Sequence, residues 1–256
     1  MDKNLNTYRS EKVVRHYADY DDLQKPEQTI LNLLKSKLSN MKMLDIGVGG
    51  GRTTTYFAPL VKEYTGIDYS EKMIEVCNNK FTKHYSNTKF IKADVRDLNC
   101  FCENEFDFVL FSFNGIDCIS FEERNIAFTQ IKRVLKNDGL FCFSSHNTNA
   151  IADLLKIKIH LNIFYSIKRI FDILKIKRIN KGLLEKKEIK DWIIINDGDH
   201  DFNTQYCYIN PLYQIKILKE TGYQNIMSFS FQDGKQMSME NEIMKNKSKW
   251  VYYLCS

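Results

Sequence analysis

The chain has 256 residues, enough for one large domain with a sizeable core. Its 43% hydrophobic and 13% aromatic content excludes a disordered polymer, and its formal net charge is a modest +5. No apolar run approaches the ~18–20 residues that cross a bilayer, and the polar stretch at 1–22 holds no secretory hydrophobic segment, so a cytoplasmic location is expected. Seven cysteines form no framework; Cys100 and Cys102 lack the second pair or flanking histidine of a zinc site, so free thiols in a reducing compartment are expected. Along the chain, Pro26 opens an amphipathic helix predicted over 26–38, with Ile30, Leu31, Leu34 and Leu38 on one face. A short apolar strand at 43–46 leads through glycines into a helix at 54–60. Strand signals follow at 61–67 and 89–92, around a helix at 71–80. The continuous apolar run FDFVLFSF at 106–113 suits a central parallel strand covered on both faces. A helix at 121–135, an Asn-Asp-Gly turn and a strand at 140–144 complete the alternation, which implies an α/β fold with a parallel sheet.

The stretch DIGVGGG, from Asp45 through Ile46, Gly47, Val48, Gly49 and Gly50 to Gly51, sits where the first strand turns into its helix. Open parallel sheets bind ligands beyond the carboxyl ends of their strands. Glycine there permits positive φ and lets a ligand approach the main chain. A dinucleotide fingerprint is G-x-G-x-x-G; here the spacing is G-x-G-x-G, with Arg52 at the third fingerprint position. The acid before the first glycine is a poor neighbour for a pyrophosphate and a good one for a cation. Asp68 ends the next strand, where a carboxylate suits ribose hydroxyls. A dehydrogenase is disfavoured on these grounds.

These residues resemble the first motif of class I S-adenosylmethionine-dependent methyltransferases, and later segments match that family in order. GIDYS is similar to its second-strand motif, which implies Asp68 on the ribose with Tyr69 and Met73 beside the adenine. KADVRDL implies Asp94 and the Val95 amide at the adenine edge; FDFVLFSFNGID implies Phe113 and Asn114 beside the methionine part. The resemblance covers 42–145, resumes at 210–226, and implies a Rossmann-like sheet of seven strands with the last antiparallel. It also implies S-adenosyl-L-methionine as cofactor and S-adenosyl-L-homocysteine as product. Tyr17, in a segment that closes over the cofactor in similar enzymes, is the favoured N-terminal contact; Arg15 or Arg52 suits the cofactor carboxylate.

The expected organisation is a core of 1–146 and 207–256, with helices in 1–40 over the cofactor. A basic helical insertion at 147–206 would form the acceptor lid. Between 151 and 190 there are 11 Lys+Arg against 4 Asp+Glu, so the basic character is local. A solvated lid, an anionic acceptor and an anionic membrane surface all fit this. The fourth-strand segment lacks the prolines of nucleobase methyltransferases, so a small-molecule acceptor is expected rather than nucleic acid. A hydroxyl acceptor, favoured here as that of a sugar, whether nucleotide-linked or for surface polysaccharide, needs a base. Among five histidines, His200 in a polar, aromatic-rich loop is favoured, with Asp199 or Asp201 to orient it, and His146 after the fifth strand comes next; His84 and His160 are read as bystanders. N-methylation of an amine and a noncatalytic adenosylmethionine-binding module remain alternatives, and the oligomeric state is open.

Overall fold

Three N-terminal helices, α1 (Lys3–Tyr8), α2 (Glu11–Ala18) and α3 (Lys25–Leu34), precede the sheet in the computed structural model, which describes residues 3–157, 162–184 and 191–256. His160 lies outside the described residues. α3 starts on a reciprocal capping box between Gln24 and Glu27, has Pro26 in its first turn, and buries Ile30, Leu31 and Leu34. It stops at Leu34, earlier than predicted, and Leu38 opens a separate 3₁₀ turn.

The alternation then proceeds through β1 (Lys42–Ile46), α4 (Thr54–Phe57), β2 (Glu63–Asp68), α5 (Glu71–Phe81), β3 (Thr88–Lys92), β4 (Phe106–Phe111), α6 (Phe121–Val134) and β5 (Leu135–Asn147). These five strands pair in parallel in the order 3-2-1-4-5. Two boundaries differ from the sequence pattern. β4 ends at Phe111 because Phe113 and Asn114 both take positive φ, 56° and 60°, and turn the chain away. Residues 136–139 do not precede β5 but loop out of it: Leu135 pairs with Phe106 and Leu140 with Phe108.

The rest of the chain supplies α7 (Ile151–Leu154), α8 (Ile163–Ile179), β6 (Trp192–Ile195), the single turn α9 (Asp199–Phe202), β7 (Tyr206–Ile209), α10 (Pro211–Glu220), β8 (Met227–Ser230), β9 (Gln236–Met237), α11 (Glu240–Lys245) and β10 (Trp250–Cys255). β10 lies antiparallel between β5 and β8, as expected for the last strand. The count of seven strands is corrected to ten among the described residues. The additions are the short β9 and an antiparallel β6–β7 pair that joins β5 at His146 and Asn147. The segment read as a helical insertion therefore also contributes strand to the sheet. Apolar clusters fill both faces, which is why β4 needs no alternation: Val109 and Phe111 enter one cluster, Phe108 and Leu110 the other.

Candidate active site

A cleft with about 1080 Å³ of empty space, its open mouth included, lies at the carboxyl ends of β1, β2 and β4. Of the residues predicted to hold a cofactor, Tyr17, Asp45, Gly47, Val48, Gly49, Arg52, Asp68, Tyr69, Met73, Asp94, Val95 and Phe113 line it. Gly51 and Asn114 do not. Gly51 has φ +84°, and a Cβ there would stand 2.1 Å from the Phe81 ring, so this glycine serves α5 packing rather than a ligand. Gly49, also at positive φ, has nothing within 3.9 Å of its absent Cβ and is open to the cleft. Asn114 is buried with both amide atoms unpaired, while its backbone N–H donates to Ser144 Oγ.

Three acids face the cleft in different states. Asp45 accepts from the hydroxyls of Thr53 and Tyr64, each at 2.5 Å, and burial pushes it up to about 6. It holds the loop through hydroxyls rather than amides. Asp68 accepts the N–H of Gly49 at 3.1 Å and of Ser70 at 2.8 Å; burial raises it to about 6 as well. Each carboxylate oxygen keeps a lone pair for a further donor. Burial pushes Asp94 up, but the Arg96 guanidinium, which binds both its oxygens, brings it below the ordinary value. Arg96 also reaches Glu123 at 2.7 Å.

Arg52 lines the cleft but its charge is committed within the protein. Its two terminal nitrogens meet the two oxygens of Glu27 at 2.5 and 2.7 Å, and one also reaches Ser112 Oγ at 2.9 Å. Glu27 is 1% exposed and also accepts from Ser112 and from Tyr252 OH at 3.0 Å. The expectation that Arg52 meets a ligand carboxylate is corrected accordingly, and Arg15 is exposed on α2 outside the lining. Glu27 escaped the sequence reading; its place as the third residue of a capped helix was visible, its pairing with Arg52 was not.

The N-terminal helices roof the cleft. Tyr8 joins Tyr17 in the lining; its hydroxyl meets Tyr206 OH at 3.1 Å and Cys118 Sγ at 3.5 Å. His200 does not itself line the cleft but packs behind two residues that do, its ring 5.4 Å from that of Tyr8 and 6.1 Å from that of Tyr17. Burial holds its pKa below the ordinary histidine value, which favours the neutral ring. It sits in α9, where His200, Asp201 and Phe202 are all left-handed (φ 49°, 57° and 69°) after Gly198 at 96°. Asp201 does not orient that ring; it pairs with Lys12 at 2.8 Å. His146 is 3% exposed within β5, its Nδ1 2.8 Å from Asp117 and its ring between Tyr206 and Tyr208. Asp117 also binds buried Arg124 and the Ser145 hydroxyl. This second histidine belongs to a structural network and does not line the cleft.

A glycine-turned first strand, acids at the ends of β1 and β2, and an antiparallel last strand define a Rossmann-like methyltransferase fold. Residues 43–139 match the family described as a methyltransferase domain, and the relatives that follow are methyltransferases too. An uncharacterized methyltransferase of Bacillus subtilis (strain 168), YcgJ, is 30% identical over 161 residues, 62% of this chain and 59% of that protein. The chain thus spans less than two thirds of that relative's length. The malonyl-[acyl-carrier protein] O-methyltransferase of Buchnera aphidicola subsp. Baizongia pistaciae (strain Bp) is 26% identical over 70% of this chain and 69% of its own. Among solved structures, a Burkholderia thailandensis 1,6-didemethyltoxoflavin-N1-methyltransferase with bound 1,6-didemethyltoxoflavin and S-adenosylhomocysteine superimposes with a TM-score of 0.57 at 13% identity, covering 100% of this chain and 89% of that one.

Proposed function

We propose that the protein transfers a methyl group from S-adenosyl-L-methionine to a hydroxyl of a small polar acceptor. The observation that carries the cofactor is the Asp68 carboxylate, buried at the end of β2, pinned by two backbone amides and lining the same cleft as Gly49, Tyr69 and Met73. A neutral or anionic cleft suits the cofactor's sulfonium end, since Arg52 is already neutralised by Glu27. When bound, the cofactor supplies an activated methyl group. The protein's part is to exclude water, hold the acceptor in line and take its proton. Correct positioning alone supplies effective molarities of ~10⁵–10⁸ M.

His200 is the proposed base. It is uncharged at neutral pH, and its ring packs on Tyr8 and Tyr17, which wall the mouth. A sugar suits this mouth because its C–H face packs on aromatic rings while its hydroxyls stay at the edge. The proposed organisation keeps residues 147–206 as the acceptor side of the cleft. Calorimetric titration with S-adenosylmethionine and S-adenosylhomocysteine, on the native chain and on Asp68→Ala, tests the first step. Binding lost in the variant supports it; no binding by the native chain overturns it. Binding without turnover across sugars, phenols and amines would leave a noncatalytic module.

A further inference from the structure

We propose that α8 docks the protein onto an anionic membrane surface, lying in the plane of the headgroups. The face that α8 turns outward is apolar: Phe164 is 80% exposed, Phe171 66%, Leu174 56% and Ile167 45%. These fall at i, i+7, i+10 and i+3, one continuous stripe on a helix, and Ile163 at 66% extends it. Exposed lysines border the stripe: Lys168 and Lys175 on one edge, Lys177 on the other. The helix carries five Lys+Arg and one acid, Asp172, which is half-buried. An apolar stripe edged by cations is the pattern of interfacial helices, whose apolar side enters the acyl boundary while the cations meet headgroup phosphates.

The stripe is not the product of a loosely held helix. The opposite face buries Ser166, Ile173 and Ile176. At its end, Asn180 bridges the carbonyls of Ile176 and Asn196, both at 2.8 Å, and accepts the Asn196 N–H at 2.9 Å. Asn162 caps its start by accepting from Phe164 and Tyr165 N–H. α8 is therefore a fixed element presenting large apolar side chains to solvent, which a soluble surface seldom does over so contiguous an area. Charge chooses the occupant. Two copies packed through this face would oppose like-charged rims, whereas an anionic bilayer provides both hydrocarbon and countercharge. Among the described residues no helix is long and apolar enough to cross a membrane, so the contact is peripheral. The His200 turn packs on α8 itself: Lys175 Nζ lies 3.9 Å from the centre of the Phe202 ring, and Ile176 lies under Gly198.

Co-sedimentation of the full chain with phosphatidylcholine vesicles, with and without about one quarter phosphatidylglycerol, tests this. The expected result is at least about tenfold stronger partition into the anionic vesicles, weakened by high salt. Phe164→Glu/Phe171→Glu is expected to abolish it, and Lys168→Glu/Lys177→Glu to lower it about tenfold. All four positions are exposed, and adenosylmethionine affinity, measured on each variant, reports an intact fold; a native chain that binds vesicles but no cofactor would sink the proposed function and leave the docking intact. Equal partition into both vesicle types, insensitivity to the Phe variants, or a vesicle-indifferent dimer that Phe164→Glu/Phe171→Glu dissociates would each overturn the proposal.

Discussion

The cleft around β1 and β2 and the segment between β5 and β7 solve the same problem by opposite means. At the cleft, regular strands end in acids whose donors come from the chain itself: Thr53 and Tyr64 for Asp45, Gly49 and Ser70 for Asp68. In the later segment, a left-handed turn at His200, Asp201 and Phe202 places one ring beside Tyr8 and Tyr17, and an exposed salt bridge to Lys12 spans to α2. Left-handed backbone costs an L-residue about 1–2 kcal/mol. Strain of that kind persists where surrounding contacts over-determine it. The contrast separates a preorganised cleft from a proposed acceptor side held by few, long-range contacts.

The largest expected effect breaks the acceptor side. His200→Asn keeps a small polar side chain that tolerates the left-handed turn, so the fold persists while the proposed base is lost. The expected outcome is a fall in kcat of about 10²–10⁴-fold for a hydroxyl acceptor, with adenosylmethionine affinity unchanged. The native rate should fall on the acid side only below pH 6.5, the ordinary histidine value, because burial lowers this one. A variant that keeps native kcat removes His200 from the mechanism.

A comparable loss, this time in stability, breaks the cofactor side. Glu27→Ala leaves the Arg52 guanidinium buried without its bidentate partner and removes the acceptor of Ser112 and Tyr252. Removing one member of a buried ion pair costs about 3–5 kcal/mol. Urea unfolding should show a lower midpoint at constant slope, with a stability loss of that size. Replacing both Glu27 and Arg52 with apolar residues should recover part of it.

These two regions also differ in how far the sequence revealed them. The glycine loop, Asp68 and Asp94 were legible as parts of one cleft because each sits at a strand end, where a turn and a helix start lie within a few residues. The four closely spaced glycines marked the turn, although Gly51 proved to accommodate the Phe81 ring. Glu27 and Arg52 are 25 residues apart, and no local pattern links them. The β6–β7 pair was hidden for a similar reason: Trp192–Ile195 reads as a short apolar run whose partner strand lies beyond a polar turn. His146 looked like a base because it stands near the end of a central strand; what the sequence hid is that β7 and Tyr206 and Tyr208 bury it away from the cleft lining. The left-handed run at 200–202 has only Gly198 to announce it.

A smaller effect sharpens the assignment of the cofactor pocket. Charge-assisted hydrogen bonds contribute ~1.5–3 kcal/mol each, so Asp68→Ala should weaken adenosylmethionine by about one to two orders of magnitude or more. Titration calorimetry reads this directly, and unchanged affinity would detach Asp68 from the ribose.

The pH dependence of stability compares the two regions most directly, because their acids are displaced in opposite directions. Burial raises Asp45 and Asp68 from 3.8 to about 6. The folded state therefore binds their protons more tightly than the unfolded chain. Their contribution is most favourable below pH 3.8, declines as pH rises toward about 6, and is level above it. Each pH unit between those two values is worth ~1.4 kcal/mol, so each carboxylate accounts for about 3 kcal/mol over that window. The hydrogen bond from Lys12 lowers Asp201, so this exposed clasp contributes above pH 3.8 and is lost as pH falls through the lowered value. Subtracting the Tm profile of Asp68→Ala from that of the native chain should thus give a difference that falls between pH 4 and 6. The same subtraction for Lys12→Ala should give one that is flat there and shrinks only at lower pH. Cofactor affinity should rise through about pH 6, since only the ionised Asp68 accepts from two hydroxyls at once. A flat native-minus-Asp68→Ala profile would mean that this carboxylate is not the buried group, raised toward about 6, on which the proposed cofactor pocket is built.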